Sequence, residues 1–470
     1  MKHSTVNSEG LKLQLSLTEN FLKIMILKPT KEKATVTLII ALLITLTLSG
    51  LSRSEEIEKP MPQKSIVHSK KNLLAKVLPK ANFHFEIFSQ DGKQVAYIAS
   101  KHGKYFVVIG NKEGEKYDEV GVPMFSQDNN QVAYTAKKGK KEFAVLGEKR
   151  SEEFDSISRL MFRPHDNQIT YIARKGRKNF LVVGDSKVQL KYPYPNYAVF
   201  SHDGKQLAYV ASTLYKPGEP QKEFIVVGDR KGEEYTQVQR PVFSPDGKSV
   251  AYAATNLWGD LADIGKWFVM VDGIKRKGRY STISNVTFSP DGKQVAYVAR
   301  KKDVKCSVVV GNKEGEKFDV IDGPLLFNPN GTQIAYMATK GGKMFIVMGG
   351  RKGEEFDGVD PPVFSPNGKK VAYRAVRRVR GKSLQSVIIG DKKDEAFDPI
   401  FGFPIVFSPD SRQVAYQARK GGKMFIVIGD KRSEEFDRVD NPVFSSDGKS
   451  IGFGAKEGNK LLWNVMHLER

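Results

Sequence analysis

From residue 82 onward one unit of about forty residues is repeated to the end of the chain, and this constrains the fold more than any other feature. The core of the unit reads "FSQDGKQVAYIA" at Phe88, "FSPDGKSVAYAA" at Phe243, "FSPDGKQVAYVA" at Phe288 and "FSPNGKKVAYRA" at Phe364. The leading phenylalanines fall at 88, 125, 162, 200, 243, 288, 327, 364, 407 and 444, so there are ten units at spacings of 37 to 45 residues. A segment this short cannot bury an apolar face alone. It must stack on its neighbours, and the whole repeated region must be one architecture rather than several unrelated domains.

Each unit reads as four short strands. The first ends in the phenylalanine, as in "NPVFS" at Asn441–Ser445. A turn of proline, aspartate and glycine follows: proline presets φ, aspartate bonds the backbone ahead of it, and glycine takes the left-handed position. The second strand, "QVAYQA" at Gln413–Ala418, alternates Val and Tyr with small Ala, so a neighbouring sheet can approach closely on the alanine side. The third, "MFIVIG" at Met424–Gly429, is apolar throughout, as suits a strand covered on both faces. The fourth is expected at "EEFDRV", Glu434–Val439, as a charged and exposed edge. Four antiparallel strands per forty residues predict an all-β chain, a β-propeller of ten four-stranded blades. The tenth unit ends before a fourth strand, and a segment within "NLLAKVL", Asn72–Leu78, is expected to complete it and close a single ten-bladed ring. Two five-bladed rings are the alternative, because ordinary propellers have four to eight blades.

The "FSPDGKxVAYxA" unit resembles the WD40-like propeller repeats of the TolB type, and the resemblance covers residues 82 to 470. It implies a propeller in a bacterial envelope setting. Only about thirty residues separate the N-terminal apolar run from the first repeat, so the α/β domain that precedes the propeller in TolB itself has no counterpart.

The N-terminal region divides into a basic segment, 1–33, a hydrophobic segment, 34–50, and a linker, 51–81. Lys28, Lys31 and Lys33 stand directly before an apolar run from Ala34 to Leu48, the layout of an export signal. At about fifteen residues the run is short for a membrane span, which needs roughly twenty. The expectation is a periplasmic or envelope location, with an uncleaved anchor as the rival and Met25 as an alternative start. The chain carries 75 Lys and Arg against 53 Asp and Glu, an excess of 22, and only three of these fall in the first fifty residues. The basic propeller favours an anionic partner, and nucleic acid is the less expected one for an exported chain.

Chemistry is sparse. "KGGKMFIV" occurs at 340–347 and again at 420–427, but a phosphate loop needs a hydroxyl after the lysine and a helix to follow, and here Met and a strand follow. The "EEFD" carboxylates at 152–155, 354–357 and 434–437 read as edge protection rather than a hydrolytic pair. His165 and His202 sit in turns, no histidines share a metal-binding spacing, and Cys306 is the single cysteine, so neither a metal nor a cofactor is expected.

Asymmetry marks the candidate site. Three units lengthen the loop between second and third strands: 212–223, 255–266 and 376–386. Antiparallel order places all three on one face, together with lysine-rich short loops such as "KKGKK" at 137–141. The ligand-binding candidates are Tyr215, Trp258, Asp260, Asp263, Arg377, Arg378 and Arg380. The expected function is non-catalytic binding of a protein or an anionic envelope polymer through this basic face. The alternative is a glycan-acting enzyme at the ring's mouth, for which Trp258, Arg377, Asp322, Asp360 and Asp440 would have to converge.

Overall fold

The computed structural model describes residues 64–470 apart from 164–165, 193–195, 214–220, 257–266, 302–303, 380, 398–404 and 469–470. Every repeat folds as an antiparallel four-stranded sheet, and the ten sheets form one ring, a ten-bladed propeller. Blade 9 illustrates the unit. Its strands Val406–Phe407, Val414–Lys420, Lys423–Ile428 and Lys431–Arg432 pair in that order from the inside out. Val414, Tyr416 and Ala418 face blade 8, while Ala415 and Ile426 face blade 10, so both sides of the middle strands are buried between sheets. The turn after the phenylalanine works as its residues imply: Ser408 Oγ donates to Asp410 Oδ1 at 2.6 Å, and the Arg412 amide donates to the same oxygen. Blades 1, 2, 4, 5, 6 and 10 repeat this arrangement at Ser89, Ser126, Ser201, Ser244, Ser289 and Ser445.

The fourth strand corrects the sequence reading. Its ladder in blade 9 is Lys431–Arg432, prolonged by a bridge between Met424 and Phe436. Arg438 and Val439 already pair with Lys456 and Ala455, in the second strand of blade 10. Glu434–Val439 is therefore a crossover between blades, not an edge. The reason is apolar: Phe436 and Val439 are buried in the core shared by blades 9 and 10, which draws the chain inward after Arg432.

Ten buried clusters, each shared by two sequential blades, run around the ring. Two five-bladed rings would pack blade 5 on blade 1 and blade 10 on blade 6. Instead Val269 and Val271 of blade 5 meet Val295 and Tyr297 of blade 6. Blade 10 meets blade 1 through Leu461, which shares a cluster with Val95, Tyr97, Phe106 and Val108.

Closure depends on the segment before the first repeat. Lys70–Lys76 pairs antiparallel with the last strand, Lys460–His467, and becomes the outer strand of blade 10. Upstream, Ser65–Ile66 adds a parallel fifth strand to blade 9, and Lys64 Nζ donates to Asp394 Oδ1 of blade 8 at 2.8 Å. Downstream, Tyr97 Oη of blade 1 donates to the Lys76 carbonyl at 3.3 Å. One strap thus laces blades 8, 9, 10 and 1.

The joint between blades 10 and 1 departs from the repeat in its packing. A Cβ added to Gly454 would stand 2.1 Å from the Phe88 ring, and one on Gly92 would stand 2.1 Å from Trp463. Only glycine lets these rings lie against the opposing backbone. The charge pattern departs too. Two residues before the phenylalanine, blades 2 to 10 carry Pro123, Leu160, Ala198, Pro241, Val286, Leu325, Pro362, Ile405 and Pro442, all apolar, whereas blade 1 carries Glu86. Glu86 is 6 % exposed; its Oε1 lies 3.2 Å from Arg438 Nε of blade 10, and its Oε2 has no hydrogen-bond partner among the described residues. Burial, partly offset by Arg438 and reinforced by Asp440, raises the Glu86 carboxyl above the usual carboxylate range. Burial raises Asp440 as well.

Candidate ligand site

The links between blades and the loops joining second to third strands emerge at the same end of each sheet, and a recurring aspartate ties them together. Asp118 Oδ2 accepts from the Gly139 amide at 2.7 Å, Asp155 from Gly176 at 2.6 Å, Asp319 from Gly341 at 2.8 Å, and Asp437 from Gly458 at 2.6 Å. The other oxygen of the same group takes a lysine of the preceding blade: Lys141 reaches Asp155 at 2.7 Å, and Lys423 reaches Asp437 at 2.5 Å. The lysine hydrogen bond, helped by the loop amide, holds these carboxyls below their ordinary range. The third residue of "EEFD" is thus an aromatic wedge between blades and the fourth is a clamp, which corrects the reading of the motif as edge protection. In "KGGK" at 340–343 the first glycine binds the clamp aspartate of the preceding link, Asp319, and the second lysine, Lys343, reaches Asp357 in the next.

The clamps use up part of the face's positive charge, but not all of it. Lys101, Lys140, Arg177, Lys178, Lys305, Lys382 and Lys420 are exposed and have no side-chain ion pair or hydrogen bond among the described residues. They come from the loops of blades 1, 2, 3, 6, 8 and 9 and make an interrupted belt of free cations.

Of the candidates named from sequence, Tyr215, Trp258, Asp260, Asp263 and Arg380 lie outside the described residues. Arg377 is engaged: it pairs with Glu354 and lies 5.1 Å from the centroid of the Phe356 ring. The Arg378 amide donates to Asp357 Oδ2 at 2.6 Å, standing in for the loop glycine of other blades. The insertion that carries them is a hairpin extension, Val371–Val379 against Lys382–Ile389, with Val379 and Leu384 exposed near its tip.

A large cavity lies elsewhere. It has a volume of about 1240 Å3 and follows the inner strands of blades 4 to 7. It runs from Gln237 and Trp267 at the loop face to Ser244 and Pro245 at the opposite end. Glu223 is the one carboxylate among its described lining residues, and it is occupied: Oε2 accepts from the Val238 amide at 2.8 Å, as Glu142 does from Ile157 in an earlier blade. Asp322, Asp360 and Asp440 do not line it, and Asp360 is paired with Arg374. The convergence that the glycan-acting alternative requires is not assembled among the described residues.

What lines the cavity instead is a set of residues sequence reasoning passed over. Tyr197 is 48 % exposed and has φ of 52°, in the left-handed region, which a tyrosine seldom occupies. Arg159, Tyr197 and Asn285 each stand three residues before the inner-strand phenylalanine of blades 3, 4 and 6, all with positive φ, and Gly323 takes a similar turn in blade 7. Gln239 Nε2 donates to the Ile283 carbonyl at 2.6 Å, and Asn285 Nδ2 to the Gly323 carbonyl at 2.6 Å, so each amide bridges to the next blade. Arg240 is exposed on the wall and has no side-chain partner among the described residues. The available signal was variation within the first strand: blades 2, 5, 8 and 10 have proline two residues before the phenylalanine, while blades 4 and 6 read "NYAVF" and "SNVTF".

No family model matches the chain, and no curated protein matches it. Solved structures do. A eukaryotic initiation factor structure aligns at 12 % identity, covering 69 % of this chain and 92 % of its own, with a TM-score of 0.44. TolB from Acinetobacter baumannii aligns at 13 % identity, covering 63 % and 84 %, with a TM-score of 0.27. The β-propeller domain of the Trilobed protease from Pyrococcus furiosus, described as having an open velcro topology, aligns at 11 % identity, covering 59 % and 95 %, with a TM-score of 0.30. The neighbours include TolB and other propellers. At these identities the likeness concerns fold alone.

Proposed function

We propose that this chain is an exported, non-catalytic propeller that binds a protein or an anionic polymer of the cell envelope through the face bearing the second-to-third-strand loops. The observation that carries the reading is the belt of cations left over once the clamp aspartates are satisfied: Lys101, Lys140, Lys178 and Lys420 stand exposed on loops of four different blades. Unpaired charges spaced around a rigid ring attract an extended anion at several points, and that attraction weakens as salt rises. The basic N-terminal segment followed by the apolar run Ala34–Leu48 supports export.

The test is crosslinking in envelope fractions with the tagged chain and with a variant carrying Lys101→Glu, Lys140→Glu, Lys178→Glu and Lys420→Glu. These side chains make no hydrogen bonds or ion pairs among the described residues, so the variant keeps its melting temperature within a few degrees. It is expected to lose the salt-sensitive bound set. An unchanged bound set would overturn the reading.

A further inference from the structure

Resting on that reading, we infer that the cavity of blades 4 to 7 is the recognition centre for an acidic oligosaccharide, with Tyr197 as its stacking platform and Arg240 as its carboxylate anchor. A non-glycine residue in the left-handed region is strained, and the strain is larger for bulky side chains. Blade 7 makes a similar inner-strand turn with Gly323, at φ of 67°, and so avoids the cost. Blade 4 keeps a tyrosine there, and that tyrosine is half exposed to the cavity rather than buried in a core. Packing therefore repays little of the strain. The ring is held where a ligand would meet it.

The surrounding polar atoms define the ligand. The amide nitrogens of Gln239 and Asn285 are committed to carbonyls of the next blade, which turns each side-chain oxygen into a fixed acceptor. Fixed acceptors beside an aromatic face suit a sugar, whose hydroxyls donate while its C–H face lies on the ring. Arg240 brings to the same wall a guanidinium that has no partner among the described residues, while the Glu223 carboxylate is tethered through Oε2 to the Val238 amide. A guanidinium takes a carboxylate through two parallel N–H groups, so a uronic acid fits better than a neutral hexose. At about 1240 Å3 the cavity exceeds the usual 300–1,000 Å3 of a small-molecule site, in keeping with several linked sugars rather than one.

The probes are a β-1,4-linked glucuronate hexamer, the β-1,4-linked glucose hexamer of the same backbone without carboxylates, and hexaglutamate. They are titrated calorimetrically into the full chain and into Tyr197→Gly and Arg240→Gln. The glucuronate hexamer is expected to bind at least tenfold more tightly than either comparator. Tyr197→Gly is expected to weaken it tenfold or more without lowering the melting temperature, and Arg240→Gln to remove the preference over the glucose hexamer. Equal affinity for hexaglutamate would overturn the carbohydrate assignment, and unchanged glucuronate binding by Tyr197→Gly would overturn the cavity as its site. If the four-lysine variant loses its envelope partner while none of the probes enters the cavity, this inference fails and the proposed function stands. If the glucuronate hexamer binds as expected while the four-lysine variant keeps its envelope partner, the opposite holds.

Discussion

Two regions of the ring break the repeat, and they do so in opposite ways. At the joint of blades 10 and 1 the exceptional residues are turned inward and matched: Gly454 against Phe88, Gly92 against Trp463, Glu86 against Arg438. Along blades 4 to 7 they are turned toward the cavity and left without partners among the described residues, as with Tyr197 and Arg240. A ring built from near-identical tiles needs a different joint where the chain's ends meet, and it can recognise something asymmetric only where its tiles differ. The first need is met by buried exceptions and the second by exposed ones.

Removing residues 64–78 should have the largest effect. It takes away the outer strand of blade 10, including buried Ala75 and the partly buried Leu74, Val77 and Leu78. At about 25 cal/mol per Å2 of apolar surface, the loss should approach roughly 5 kcal/mol and split the thermal unfolding into more than one step. A single sharp transition at the original temperature would mean that the strap does not close the ring.

Next is Gly454→Ala, which places a methyl inside the Phe88 ring contact. We expect about 1–3 kcal/mol of destabilisation by chemical denaturation, with Phe88→Leu in the same chain recovering part of it.

Charge at the joint gives a third, pH-dependent effect. Because Glu86 and Asp440 have raised carboxyl pKa values in the folded ring, the stability they contribute is fully present below the ordinary carboxylate range and is lost as pH rises through the raised values. Glu86→Gln should therefore gain on the parent chain as pH climbs from about 4.5 toward neutrality. Arg438→Met should lose about 2 kcal/mol at neutral pH and less in acid, since it leaves a buried carboxylate without its counter-charge. Parallel melting curves for parent and Glu86→Gln across this range would contradict the assignment.

The smallest effect belongs to the other region. Tyr197→Gly should leave stability unchanged or raise it by about 1 kcal/mol, because it relieves a positive φ.

Much of this fold was legible because it is repetitive. Ten copies of one turn and two apolar strands give the order of the inner three strands and the number of units, and "NLLAKVL" overlaps the strand that completes blade 10. The fourth strand was misread because charge in "EEFDRV" was weighed above its two apolar positions, Phe436 and Val439, which are the ones that choose the chain's path. The clamp aspartates could not be seen in one unit, since Asp437 gains its meaning only from Lys423 and Gly458 in adjoining blades. The cavity was hidden for a related reason. Length differences between loops are conspicuous in a sequence, whereas Tyr197 and Asn285, each one position before the residue that is proline in blades 2, 5, 8 and 10, change no spacing at all.

The most direct test measures two quantities on two pairs of variants: melting temperature and affinity for the glucuronate hexamer, for Glu86→Gln and Gly454→Ala against Tyr197→Gly and Arg240→Gln. The account predicts that the joint pair moves the melting temperature and leaves affinity within twofold, while the cavity pair lowers affinity tenfold or more without lowering the melting temperature. Joint variants that weaken binding as strongly as the cavity variants do, or cavity variants that unfold the ring, would contradict it.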